Sequence, residues 1–157
     1  MGTIRRGQVD SGKVVQEMSY AESTSVPVDR SRAEIEKILQ KYGATEFFYG
    51  TSPKGEGIGF VYKNIPIKIG IPMPKTGSDR QDQQERRRLW RVLVIALKAK
   101  LELVDSRITS FEDEFLAQTC LPKASGYSTV GDWAKEQIGT MISTGKMPKL
   151  LMAGGQE

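Results

Sequence analysis

Lys63-Asn64 stands between two alternating runs, Gly57 to Tyr62 (GIGFVY) and Ile65 to Ile71 (IPIKIGI), and it constrains the chain more than any other feature. Asparagine tolerates the positive φ that a two-residue hairpin turn requires. Such a turn sets Tyr62 opposite Ile65, Phe60 opposite Ile67 and Ile58 opposite Ile69. Strand side chains alternate between faces, so all six large apolar residues fall on one side. The other side carries Gly59, Val61, Pro66, Lys68 and Gly70, which is thin and partly polar. The expectation is a sheet covered on one side only. Pro66 has no N–H for the ladder, so it marks an edge strand or a local break.

The flanking segments extend this hairpin. Thr45 to Tyr49 (TEFFY) is strand-like, with Phe47 and Tyr49 on one face and Phe48 on the other. Gly50 to Gly57 (GTSPKGEG) is expected to be a turn or flexible loop; its order does not match a phosphate-binding Walker loop. Before the strands, Ser31 and Glu34 fit a capping box. Ile35, Ile38, Leu39 and Tyr42 follow at helical spacing, and Gly43 stops the helix.

After the linker 72–79 a long helix is expected from about Asp79 to Asp105. Steps of 100° gather Leu89, Val92, Leu93, Ala96, Leu97, Leu103 and Val104 on a face that would cover the sheet. Arg80, Arg87, Arg91 and Lys98 line up on the opposite face, while Lys100 falls near the apolar centre and must snorkel or bend the helix. A further helix starts at Ser110, with Phe111, Phe115 and Leu116 inward, and Pro122 ends it. A last helix is capped by Thr129 and Asp132, buries Val130, Trp133, Ile138, Met141 and Ile142, and ends at Gly145. Leu150, Leu151 and Met152 are expected to dock as an apolar plug. The class is α+β: a three-stranded antiparallel meander packed against a long helix and two or three further helices. Residues 1–26 read as a flexible arm, 27–152 as a single domain and 153–157 as a disordered tail.

Composition narrows the chemistry. Among 157 residues there is no histidine, which excludes Ser-His-Asp and Cys-His hydrolases, His-ligated zinc and histidine acid–base catalysis. Cys120 is the single cysteine; it can form no internal disulfide and has no histidine to activate it. Its place in an apolar helical pattern fits a buried structural thiol. The chain reads as cytoplasmic and without a cofactor. The N-terminus lacks the apolar run of a secretory signal, and Leu89 to Leu97 is too short to span a bilayer, so no membrane is expected. A binding protein is favoured over an enzyme.

Charge is segregated. Residues 80–107 hold eight basic against four acidic side chains, an excess equal to the chain's net charge of +4. Arg80, Arg87, Arg88, Arg91 and Lys98 are therefore the candidate nucleic-acid-binding residues, because a cationic stripe tracks a phosphate backbone. A solvated helix face explains the same pattern. Aromatics on the strands are a second candidate, since sheet aromatics stack on unpaired bases, although most belong to the core. Glu112, Asp113 and Glu114 are a third; they match a magnesium-dependent nuclease weakly and a negatively charged helix start more simply.

Trp90 with its apolar run, FEDEFLA (Phe111 to Ala117), TVGDW (Thr129 to Trp133), GKMPKLL (Gly145 to Leu151) and SRAEIEKILQKYGA (Ser31 to Ala44) together resemble small accessory proteins of tailed bacteriophages and related mobile elements. The resemblance spans roughly residues 30–151 and implies a phage or prophage factor acting inside a bacterial cell; it carries no catalytic residue. The function expected is non-enzymatic association with nucleic acid through the basic helix face. The alternative is a protein-binding factor that inhibits or modulates a host defence complex. An open strand edge permits a homo-oligomer.

Overall fold

The computed structural model describes residues 24–73, 75 and 77–146. The expected apolar plug at Leu150 to Met152, the tail and almost all of the arm lie outside the described residues. The elements run α1 (Val28–Lys41), β1 (Thr45–Ser52), β2 (Gly55–Tyr62), β3 (Ile65–Pro72), α2 (Asp79–Asp105), α3 (Phe111–Glu114) and α4 (Val130–Thr144), with short 3-10 turns at Leu116–Gln118 and Lys123–Ser125. The sheet has the order β1-β2-β3, antiparallel throughout. The α+β architecture is the expected one.

The second hairpin has the expected register. Tyr62 pairs with Ile65, Phe60 with Ile67 and Ile58 with Ile69. Both turn residues adopt positive φ, 47° at Lys63 and 64° at Asn64, as a turn matched to strand twist demands. Pro66 lies in the edge strand β3, which stays unbroken, and its carbonyl accepts a hydrogen bond from the Cys120 amide at 2.8 Å.

Three expectations need correction. The stretch Gly50 to Gly57 is mostly strand, and only Pro53-Lys54 turns. The reason is Gly55, whose φ of 143° and close approach to the Ile71 carbonyl no side chain would permit. The first helix begins at Val28 with Pro27 at its N-cap, so Ser31 is no cap; it is fully buried inside the helix. Pro27 already holds φ at −60°, and Val28 is drawn into the core, which starts the helix one turn early. The third helix starts where expected, with the Ser110 side chain as its cap, but it is one turn long and does not run to Pro122, and Leu116 points outward. Cys120 consequently sits in a bridge to Thr129, half-buried, not on a helix.

The fourth correction concerns α2. Its buried residues are Trp90, Val94, Leu97 and Leu101, at spacings of four, three and four, whereas Val92, Ala96 and Leu103 face outward. The helix is thus rotated by roughly a quarter turn from the expected orientation. Trp90 decides this, because its ring is the largest fully buried side chain and the meander offers it the space beside Tyr49, 6.0 Å between ring centroids. The core is completed by Phe60, Phe111 and Phe115, with Tyr62 stacked on Phe111 at 4.0 Å. Lys100 snorkels: its ammonium donates to the carbonyl and carboxylate of Glu114, each at 3.0 Å.

Helix α4 has the expected capping box at Thr129 and Asp132 and ends at Gly145 in the left-handed conformation. It nevertheless buries no residue. Its first turn packs Gly131 against Ala117, and Ile138 and Ile142, expected inside, are 53% and 81% exposed. The meander is already covered by α1, α2 and α3, so α4 has no free core face to occupy.

Candidate nucleic-acid interface

The expected cationic stripe flanks the core face of α2 and meets α1. Glu34 of α1 accepts from Arg91 and from Lys98, the latter at 2.6 Å. Burial alone pushes the Glu34 carboxyl up, but hydrogen bonds from Lys98 and Arg91 and their charges hold it below the usual range. Glu85 clamps Arg88 through two hydrogen bonds of 2.7 and 2.8 Å, and Arg87 donates to Gln84 at 2.8 Å. Arg80 is exposed at the start of the helix. The structure therefore brings Arg91 and Lys98 together on one carboxylate and leaves Arg80 apart from them.

A second polar centre was not anticipated. Alternation puts Glu56 on the core face of β2, in line with Ile58, Phe60 and Tyr62, and its side chain is 9% exposed. Arg86 donates to one of its oxygens, while Arg32 at 3.3 Å and the Trp90 indole N–H at 2.6 Å donate to the other. The Arg32 guanidinium lies over both the Tyr49 and Trp90 rings, 4.7 Å from each centroid. Burial raises the Glu56 carboxyl, yet these hydrogen bonds and the two guanidinium charges bring it below its ordinary value. The Tyr49 hydroxyl donates to Glu36 at 2.6 Å; burial first and that bond second push its pKa up. The signal for this hub was a carboxylate at an inward position of a central strand, which needs buried partners.

The acidic trio is dispersed. Glu112 pairs with Lys63 at 2.9 Å, Asp113 accepts from the Ser110 hydroxyl, and Glu114 takes Lys100. Among the described residues no group of three His, Cys, Asp or Glu side chains is placed to hold a metal ion, and no helix is long and apolar enough to cross a membrane.

The outer face of the sheet is different in kind. The pairing aligns Gly50, Gly57 and Gly70 in one row across all three strands, and Phe48, Gly59 and Lys68 in the next. The result is an open trough of about 730 Å³, floored by backbone and walled by Phe48, Val61, Pro66 and Cys120. Phe48 is 60% exposed. Its neighbours Phe47 and Tyr49 turn inward onto Phe60 and Trp90. Lys68 and Lys54 supply positive charge to the trough; the one acid in its lining, Glu56, directs its carboxylate to the core hub. Burial raises the Cys120 thiol, with Lys68 opposing, so the thiol is not activated there.

The fold does not require two of these glycines. A Cβ built on Gly50 or Gly70 meets no atom within 4 Å, and neither residue has positive φ. Glycine inside a strand costs stability and marks a place where a ligand or another backbone comes close. The Gly57–Gly70 pairing follows from the Lys63-Asn64 turn and was legible in the sequence; the place of Gly50 also needed the Pro53-Lys54 turn.

No protein-family model, curated protein or solved structure matches the chain.

Proposed function

We propose that this chain is a non-enzymatic accessory protein of a phage or mobile element that binds single-stranded nucleic acid across the outer face of its meander. The observation that carries the reading is the glycine row beside an exposed Phe48, with Lys68 and Lys54 at hand. An unstacked base finds an aromatic surface on Phe48, worth about 1–3 kcal/mol. The bare backbone lets the ring lie close to the sheet, and the lysines meet phosphates. Duplex DNA keeps its bases stacked inside and gains only the charge contacts. The contact moves from the expected helix face to the sheet because Arg87, Arg88, Arg91 and Lys98 already have partners within the chain.

The test is a titration of labelled oligothymidylate, oligouridylate and a duplex at two salt concentrations. Single strands bind and the duplex binds more weakly; with two phosphates engaged, log affinity falls with log salt at a slope of about −1.4. Gly50→Val with Gly70→Val fills the trough and abolishes binding while leaving the fold intact. Equal binding of duplex, or loss of binding on Arg80→Ala but not in the glycine variant, overturns the reading.

A second reading has its own observation. The exposed Ile138 and Ile142 on α4 favour a protein partner, such as a host complex. Capture of one defined partner that survives nuclease and is lost on Ile142→Glu supports it.

A further inference from the structure

Helix α2 has two apolar stripes on opposite sides. One is the buried row Trp90, Val94, Leu97 and Leu101. The other is Leu89, Val92, Ala96, Ala99 and Leu103, which continues at the three- and four-residue spacings of a coiled-coil seam. Val92 and Leu103 are 38% and 39% exposed, and both alanines are exposed. Helix α1 covers the flank carrying Arg91 and Lys98, and α3 lies beside Lys100; Leu89, at one end of the outer stripe, is half-buried against the core, and Val92, Ala96, Ala99 and Leu103 are left exposed among the described residues. Charged residues would serve an isolated solvated face better than this series does.

We infer that this seam is the interface of a homodimer, occupied by α2 of a second copy running antiparallel. The sequence of the seam is complementary to itself only in that sense. A two-fold axis near Val94-Ile95 sets Val92 against Ala96 of the second copy and Leu89 against Ala99 of the second copy. Val92 and Leu89 each then meet an alanine, which lets the helices approach closely. Ile95 meets its own counterpart. Arg88 and Glu102 lie seven residues on either side of Ile95 on the same flank, so Arg88, held in place by Glu85 of its own helix, comes beside Glu102 of the other copy. A parallel pair would oppose Arg88 to Arg88 and Glu102 to Glu102, and would stack large on large and small on small. A symmetric contact of this kind uses one surface patch on both copies. It lies away from the outer sheet face, so it holds whether or not nucleic acid binds there.

Sedimentation equilibrium of the full chain from micromolar to submillimolar concentration tests the inference. The expected species is a dimer. Ala96→Glu with Ala99→Glu gives a monomer whose circular dichroism is unchanged, since both positions are exposed. Ile138→Glu with Ile142→Glu, on the other exposed apolar face, leaves the dimer intact. Arg88→Glu alone weakens association by roughly tenfold, and adding Glu102→Arg restores it. A wild-type monomer at every concentration overturns the inference. So does a dimer that survives the alanine variants, or one lost only with the α4 variant.

Discussion

Strand β2 presents Glu56, Ile58, Phe60 and Tyr62 to the inside and Gly55, Gly57, Gly59 and Val61 to the outside. On the inner face every side chain has a partner: rings meet Phe47, Phe111 and Phe115, and the Glu56 carboxylate takes three donors. On the outer face the fold makes little use of the side chains, and at Gly50 and Gly70 it leaves room for ones that are not there. Two demands on one strand are thus separated by its period of two. Residues that stabilise the domain are inward; residues to which the fold commits little are outward.

The sharpest break of this contrast is Glu56→Ala. It leaves Arg32, Arg86 and the Trp90 N–H without their acceptor and should cost about 3–5 kcal/mol in chemical denaturation. Because the folded pKa of Glu56 is depressed, its contribution is present above the unfolded value and is lost as pH falls through the folded one. The acid limb of wild-type stability should therefore be steeper than that of Glu56→Gln.

Two phenylalanines test the faces directly. Phe60→Ala should cost about 3–5 kcal/mol of stability by opening a cavity. Phe48→Ala should change stability by less than about 0.5 kcal/mol yet weaken single-strand binding by about 1–3 kcal/mol. If Phe48→Ala destabilises as much as Phe60→Ala, the two faces are not separate. Asn64→Val places a β-branched residue at positive φ and should cost about 1–2 kcal/mol, seen as a lower denaturation midpoint. The smallest effect belongs to Gly70→Val, which should leave stability unchanged or raise it by up to about 1 kcal/mol. A marked loss of stability there would mean that the glycine row serves the fold after all.

How far each face could be read from the sequence differs for a physical reason. The second hairpin was legible because a two-residue turn couples neighbours in sequence to neighbours in space, so one turn sets every pair from Tyr62–Ile65 to Gly55–Pro72. Phe48 opposite Phe47 and Tyr49 followed from the same alternation. The capping box at Thr129 and the stop at Gly145 were legible because caps are made within a few residues. Ser31 and Glu34 show the limit of that rule: the spacing fits a box, but Glu34 is claimed by Arg91 and Lys98 from another helix.

Helix α2 shows the limit most clearly. Its length and its basic excess are properties of the chain. Its rotation is not, because two apolar stripes of similar spacing compete for the core. Trp90 against Tyr49, with Phe60, Phe111 and Phe115 nearby, settles the choice through contacts that no local pattern contains. The same packing decides the fate of the cations, which were read as a nucleic-acid-binding or solvent face: Arg91 and Lys98 lie against Glu34 of α1, Arg87 and Arg88 bond within α2, and Arg80 stays exposed. For this protein the sequence alone determined the order of the main elements, the cap at Thr129, the stop at Gly145 and the pairing across Lys63-Asn64, since those depend on short-range geometry. Which stripe of α2 went inside, which charges were neutralised and which face of the sheet stayed bare were decided only by tertiary packing. Each of these depends on residues distant in sequence competing for one surface.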